Sequence, residues 1–167
     1  PRRSGLIPPM RVAILTVSDS VFRGERADLS GPALRERCAQ LGWQVAATET
    51  VPDDSPTIQA FLMACADSQQ ADIILTTGGT GLGPRDVTPE ATAAVCARLI
   101  PGFGEVMRAA GKGSNPHAVL SRAVAGVRGQ SIIVNLPGSP KGAVESLEAV
   151  AALLPHAVDV LRGAGHD

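Results

Sequence analysis

Residues 76–90 read Thr-Thr-Gly-Gly-Thr-Gly-Leu-Gly-Pro-Arg-Asp-Val-Thr-Pro-Glu, a composition suited to holding an anion. A β-branched run, Ile73-Ile74-Leu75-Thr76-Thr77, breaks into four glycines within six residues (Gly78, Gly79, Gly81 and Gly83), and a helix start follows at Thr88-Pro89-Glu90. Small residues let backbone N–H groups turn toward a phosphate, and a helix N-terminus adds positive potential. Asp86 is an acid where that anion would sit, and its most useful chemistry is to hold a metal ion that bridges to the phosphate. The plain alternatives are a tight turn with no ligand, an Arg85–Asp86 surface ion pair, and Asp86 as a helix cap.

Two common phosphate-binding templates do not fit. No Lys-Ser or Lys-Thr follows the glycines, as a P-loop requires, and a dinucleotide fingerprint begun at Gly79 would meet Pro84 in place of its last glycine. Further acids and turns stand at other points of the chain. Asp53 and Asp54 follow Pro52, where either could stabilise a helix N-terminus through the dipole or supply a hard oxygen ligand for Mg²⁺. Asn135-Leu136-Pro137-Gly138-Ser139-Pro140 repeats the strand–turn–helix pattern, and its backbone groups could bind a second anion or an adenine ring. Lys141 could contact phosphate or lie in solvent.

The elements that position these residues follow from periodicity. Val12–Val17, Trp43–Val51 and Asp72–Thr77 read as strands. Ser30-Pro32, Ser55-Pro56, Thr88-Pro89 and Ser139-Pro140 read as helix starts, with Ser30 as a cap. The expected helices run to Gly42, to about Ser68, to about Leu99, and, for the last, as one long helix to near Gly163. Residues 103–111 and 117–122 read as short helices, and Val124–Val127 with Ser131–Asn135 as a hairpin. This alternation predicts an α/β fold, a three-layer αβα sandwich with a mostly parallel sheet and a small β-hairpin/helical subdomain. Residues 1–9 read as a flexible arm and 10–164 as a single domain. Ser18, Asp19, Asp53, the glycine loop and Pro137–Ser139 would gather at the carboxyl ends of the strands, where such sheets bind ligands.

Composition narrows the function. The chain has 167 residues, 44% of them hydrophobic, which is enough for a sizeable core. Aromatic residues make up 2% and Tyr is absent, which removes the stacking platforms that single-stranded nucleic acid needs. A net charge of −1 with mixed signs argues against nucleic-acid binding as the main role. Cys38, Cys65 and Cys96 lie far apart, as free buried thiols of a reducing compartment do, and His117, His156 and His166 show no ligand spacing. No apolar run is long enough for a membrane span and no signal peptide is evident, so the expected location is cytoplasmic.

With these segments in hand, the chain resembles the MoaB/Mog family of molybdenum-cofactor biosynthesis proteins, which includes the G domains of gephyrin-like insertion proteins. The matching segments are Thr16-Val17-Ser18-Asp19, Asp28–Pro32, Val51-Pro52-Asp53, Thr77–Gly81, Arg85–Ala91, Pro101-Gly102-Phe103, Leu120-Ser121-Arg122 and Asn135–Gly138. The resemblance implies a molybdopterin adenylyltransferase that uses Mg²⁺ and ATP to attach AMP to the terminal phosphate of molybdopterin, releasing pyrophosphate. It implies essential acids at Asp53 and Asp86, which are assigned to the metal or its waters. It implies ligand-binding backbone at Gly78, Gly79, Thr80 and Gly81 and around Pro137, Gly138 and Ser139; Ser18 and Asp19, by their place at the end of the first strand, and Arg85, as a charge for phosphate, are the further candidate binding residues. It also implies a homotrimer or an assembly of trimers, and a molybdenum-insertion protein as partner. The Arg-Asp-Val-Thr segment, altered in the MoaB-like branch, is intact at residues 85–88 and favours the transferase branch. Gly111-Lys112-Gly113-Ser114-Asn115 matches no motif and leaves that wall of the pocket undefined. The alternatives are a nucleotide or cofactor pyrophosphatase of the competence/damage-inducible type and a pterin-binding or scaffolding module without catalysis.

Overall fold

In a computed structural model that describes residues 8–163, the β-branched runs form one sheet. Strands β1 (Arg11–Val17), β2 (Gln44–Val51), β3 (Ile73–Thr77), β4 (Arg98–Leu99), β5 (Ala125–Arg128) and β6 (Ser131–Leu136) lie in the order β2-β1-β3-β6-β5-β4. The first four in that order run parallel, and β5 and β4 are antiparallel to their neighbours. The hairpin β5–β6 turns through Gly129 and Gln130 and is built into this sheet, with β6 next to β3.

The helices are α1 (Asp19–Phe22), α2 (Ser30–Gln40), α3 (Ser55–Asp67), α4 (Thr88–Val95), α5 (Pro101–Lys112), α6 (Pro140–Ala151) and α7 (Leu154–Leu161), with a 3₁₀ turn at Pro116–Leu120. Alternate strand residues serve opposite layers. Val12, Ile14, Ile73, Leu75, Ile132 and Val134 pack against α2, α5, α6 and α7. Ala13, Leu15, Val17, Ile74 and Ile133 pack against α3 and α4. Both faces of the central strands are therefore covered, which is why they read as continuous apolar runs. Each fully buried Leu or Ile stabilises the fold by about 1.5–3 kcal/mol.

The structure differs from the sequence reading at several boundaries. Helix α4 stops at Val95, not near Leu99, because Cys96 turns extended (ψ 136°) and Arg98-Leu99 join the open edge of β5 as β4. The last helix is two helices: Pro155 lies in the first turn of α7, and a proline cannot continue α6 through that point. Ser30 opens α2 without capping it; Asp28 takes that role, its Oδ1 accepting the Gly31 N–H at 3.0 Å. The short helix expected over 103–111 begins at Pro101, and the one over 117–122 is the 3₁₀ turn. The arm expected over residues 1–9 lies outside the described residues except for Pro8 and Pro9, and so does His166.

Cys38, Cys65 and Cys96 are free thiols. Burial pushes Cys38 and Cys96 up to about 11. Among the described residues no helix is long and apolar enough to cross a membrane.

Candidate functional site

The chain passes from β1 to β2 on one side and then crosses to β3 on the other, so the connections diverge between β1 and β3. Open α/β sheets bind ligands at that point. At the end of β1, the Ser18 hydroxyl accepts the Val21 N–H at 3.3 Å and starts α1. At the end of β2 the two acids divide their work. Asp54 caps α3, accepting the Thr57 N–H at 3.1 Å. Asp53 faces the strand ends: its Oδ2 accepts the Asp19 N–H at 2.9 Å, and its own N–H donates to Asp19 Oδ1 at 3.0 Å.

The glycine loop is shaped by what surrounds it. Gly78 has φ +100° and an added Cβ would collide with the Val17 carbonyl oxygen, so the backbone of β1 and the loop touch directly. The Gly78 N–H donates to the Leu136 carbonyl at 3.1 Å, and Thr77 Oγ1 donates to the Pro137 carbonyl at 2.7 Å, joining the loop to the Pro137–Ser139 turn. Thr88 closes the other end: Oγ1 donates to Gly78 O at 3.0 Å and its N–H to Gly79 O at 3.1 Å.

Asp86 neither pairs with Arg85 nor caps α4. Its Oδ2 accepts the Gly83 N–H at 2.9 Å, and Val87 occupies the cap position without a side-chain bond. Arg85 reaches instead to Asp19, with Nε and Nη2 each 3.0 Å from a carboxylate oxygen. That guanidinium holds the Asp19 carboxyl below the usual carboxylate range, helped by the Asp53 N–H. Burial pushes the Asp53 carboxyl up, and the charges of Asp19 and Asp86 add to the effect. Asp53 is thus a partly desolvated acid among other acids, an arrangement that favours a bound cation.

Two cavities flank the ridge formed by the glycine loop and the Pro137–Ser139 turn. The first, of about 500 Å³, is lined by Ser18, Asp53, Gly78, Gly79, Asp86 and Gly138, and by Thr16 and Asp28. The second, of about 520 Å³, is lined by Thr80, Gly81 and Pro137 and by α5, the 3₁₀ turn and the start of α6, which supply Arg108, His117 and Lys141. Ser139 touches both. The strand ends therefore open onto a pair of compartments. Asp53 and Asp86 share the first, while Asp19 and Arg85 line neither and act on it through Asp53.

Several residues that build this site have no role assigned to them from the sequence. Asp28 is one: besides starting α2, it accepts the Thr16 hydroxyl at 2.8 Å. The unmatched Gly111–Asn115 segment supplies a wall of the second cavity, through Gly111, Ser114 and Asn115. Asn135, part of the Asn-Leu-Pro-Gly segment, is fully buried; its Nδ2 donates to Thr76 Oγ1 and Thr92 Oγ1 at 3.0 and 2.9 Å, and its Oδ1 accepts the Val124 N–H at 3.2 Å. It supports the floor of the site and does not face a ligand.

Comparison with known proteins fits this geometry. Residues 13–156 match the family described as "Probable molybdopterin binding domain". A molybdopterin adenylyltransferase of Helicobacter pylori is 42% identical over 156 residues, covering 92% of this chain and 89% of that protein. A molybdenum cofactor biosynthesis bifunctional protein of Synechococcus elongatus is 37% identical over 163 residues, covering 98% of this chain and 51% of that protein. The crystal structure of a molybdopterin biosynthesis enzyme, MoaB of Thermus thermophilus, superposes with a TM-score of 0.87 at 54% identity, covering 95% of this chain and 99% of that one. The chain belongs to the molybdopterin-binding domain family of molybdenum-cofactor biosynthesis.

Proposed function

We propose that this protein is a molybdopterin adenylyltransferase. A terminal phosphate oxygen of molybdopterin attacks the α-phosphorus of ATP, the bond from that phosphorus to the β-bridging oxygen breaks, and pyrophosphate leaves. The observation that carries this reading is the pairing of Asp53 and Asp86 on one cavity wall, beside a glycine loop that opens onto a second cavity. The attacking phosphate is already an anion, so no general base is needed to generate a nucleophile. The protein's work is to bring two polyanions into line and offset their repulsion.

Asp53 and Asp86 are the residues that would hold Mg²⁺. Two carboxylates facing one cavity suit an ion that takes one or two protein carboxylates plus substrate phosphates. Among the described residues no three His, Cys, Asp or Glu side chains gather as an all-protein metal cage, and this chemistry does not call for one. Bound there, Mg²⁺ would supply positive charge to the phosphates. The backbone of Gly78–Gly81 and Pro137–Ser139 supports the substrates from the ridge between the cavities. Arg85, paired with Asp19 and lining neither cavity, contributes by tethering the glycine loop to the end of β1. The same reading includes a homotrimer or an assembly of trimers, cytoplasmic location, and hand-over of the adenylylated pterin to a molybdenum-insertion protein.

Incubation with ATP, Mg²⁺ and molybdopterin tests the proposal. The expected products are the adenylylated pterin and pyrophosphate in equal amounts. Release of AMP or phosphate without the adduct would make the protein a hydrolase. Tight pterin binding with no turnover would make it a binding module.

A further inference from the structure

The loop that carries Asp86 is held from outside by one side chain, Arg122. Arg122 sits just past the 3₁₀ turn, and its backbone N–H donates to the Thr80 carbonyl at 2.9 Å. Its guanidinium then spans the loop: Nε donates to Gly81 O at 2.8 Å and Nη2 to Asp86 O at 2.8 Å, while Nη1 pairs with Glu90 on α4. That ion pair holds the Glu90 carboxyl below its ordinary range. Within the loop, the amides of Gly83 and Asp86 each donate to the other residue, Asp86 N–H to Gly83 O and Gly83 N–H to Asp86 Oδ2. Among the described residues, apart from Arg85 reaching Asp19, the hydrogen bonds that tie residues 81–86 to other elements run through Arg122.

We propose that Arg122 is a positioning residue for the transfer step, its guanidinium clamping the glycine loop in the shape that turns the Asp86 carboxylate into the first cavity. This rests on the adenylyl-transfer reading for its kinetic consequence, but the clamp stands on geometry alone. An arginine is required because only a planar fork with several donors can reach two carbonyls and a carboxylate at once; a lysine keeps the charge and loses the span. Leu120 and Ser121, next to Arg122, line the second cavity, so the same short segment touches one compartment and shapes the wall of the other.

The test compares Arg122→Lys and Glu90→Gln with the wild-type protein in two measurements. The first is amide hydrogen exchange of the loop in the ligand-free protein. Arg122→Lys should speed exchange at Gly83 and Asp86 while leaving the β3 amides unchanged; Glu90→Gln, which keeps both carbonyl contacts, should resemble wild type. The second is transfer kinetics. Arg122→Lys should lower kcat by about 10²-fold with little change in the molybdopterin KM, as misplacement of a reacting group does. It should also raise the Mg²⁺ concentration for half-maximal rate by about tenfold or more, the usual effect of losing the support of a metal ligand. Wild-type exchange at Gly83 and Asp86 in Arg122→Lys overturns the clamp. Altered exchange with unchanged kcat and Mg²⁺ requirement overturns its role in transfer. Absence of adduct formation by the wild-type protein overturns the transfer reading itself, and the exchange measurement still decides the clamp.

Discussion

Asp19 and Asp53 bind one another through their backbones, each carboxylate accepting the other's N–H, at 2.9 and 3.0 Å. The pair fastens the end of β1 to the end of β2 and fixes both carboxylates. Arg85 then draws the glycine loop onto Asp19. Asp19 acts on the site at one remove, by orienting Asp53 and tethering Arg85, while Asp53 meets the cavity.

Asp53→Asn and Asp86→Asn should each lower adenylyl transfer by about 10²–10³-fold, the scale expected when one preorganised charged group is removed. Asp53→Asn has a second signature. Burial raises the folded-state pKa of Asp53, so the folded protein holds that proton more tightly than the unfolded chain does. Stability is therefore lost as pH climbs from the ordinary carboxylate range through the raised folded value. Thermal unfolding at pH 7 should show Asp53→Asn equal to or more stable than wild type, with the difference vanishing below the ordinary carboxylate range. A variant that unfolds earlier at pH 7 would contradict the desolvated placement of Asp53.

Asp54→Ala should do the reverse of its neighbour. It removes the acceptor for the Thr57 N–H at the start of α3. Thermal unfolding should move to lower temperature while kcat and KM stay at wild-type values. A large loss of turnover in a folded Asp54→Ala protein would mean that both acids serve the site.

Gly78→Ala should be poorly tolerated. At φ +100° a non-glycine residue carries strain of about 1–3 kcal/mol before the collision with Val17 O is counted. Gly102 gives the contrast: it lies in the first turn of α5 with open space where a methyl group would go, so Gly102→Ala should be neutral or stabilising by up to about 1 kcal/mol. Chemical denaturation of the two variants side by side checks both.

Asn135→Leu should destabilise the protein by about 1–3 kcal/mol, because it removes the side-chain acceptor of the Val124 N–H and leaves the buried Thr76 and Thr92 hydroxyls without their shared partner. Turnover per folded molecule should change little. A variant as stable as wild type would show that the buried amide is dispensable.

The layers, the parallel strands and the glycine loop were legible in the sequence because each depends on neighbours in the chain. The run Ile73–Thr77 is apolar on both faces, and the glycines follow it directly. Thr88-Pro89 and Ser139-Pro140 start helices through local backbone geometry. The misread boundaries had other causes. Residues 96–99 continued a helical pattern but gained a sheet edge to pair with, and the edge prevailed. Pro155 stood in plain view inside an apolar helical run, and only its place in the first turn of α7 made it a break.

The candidate site divides along the same line. Composition and motif order pointed to acids beside a phosphate-binding loop. They left open which of Asp53 and Asp54 caps a helix, which partner Arg85 takes, and what Arg122 does. Those choices depend on contacts between residues far apart in the chain: 34 positions separate Asp19 from Asp53, and 66 separate Asp19 from Arg85. Short-range propensities cannot rank such partners. The sheet order β2-β1-β3-β6 can, because it brings the ends of four strands to one place and leaves each side chain only the neighbours within its reach.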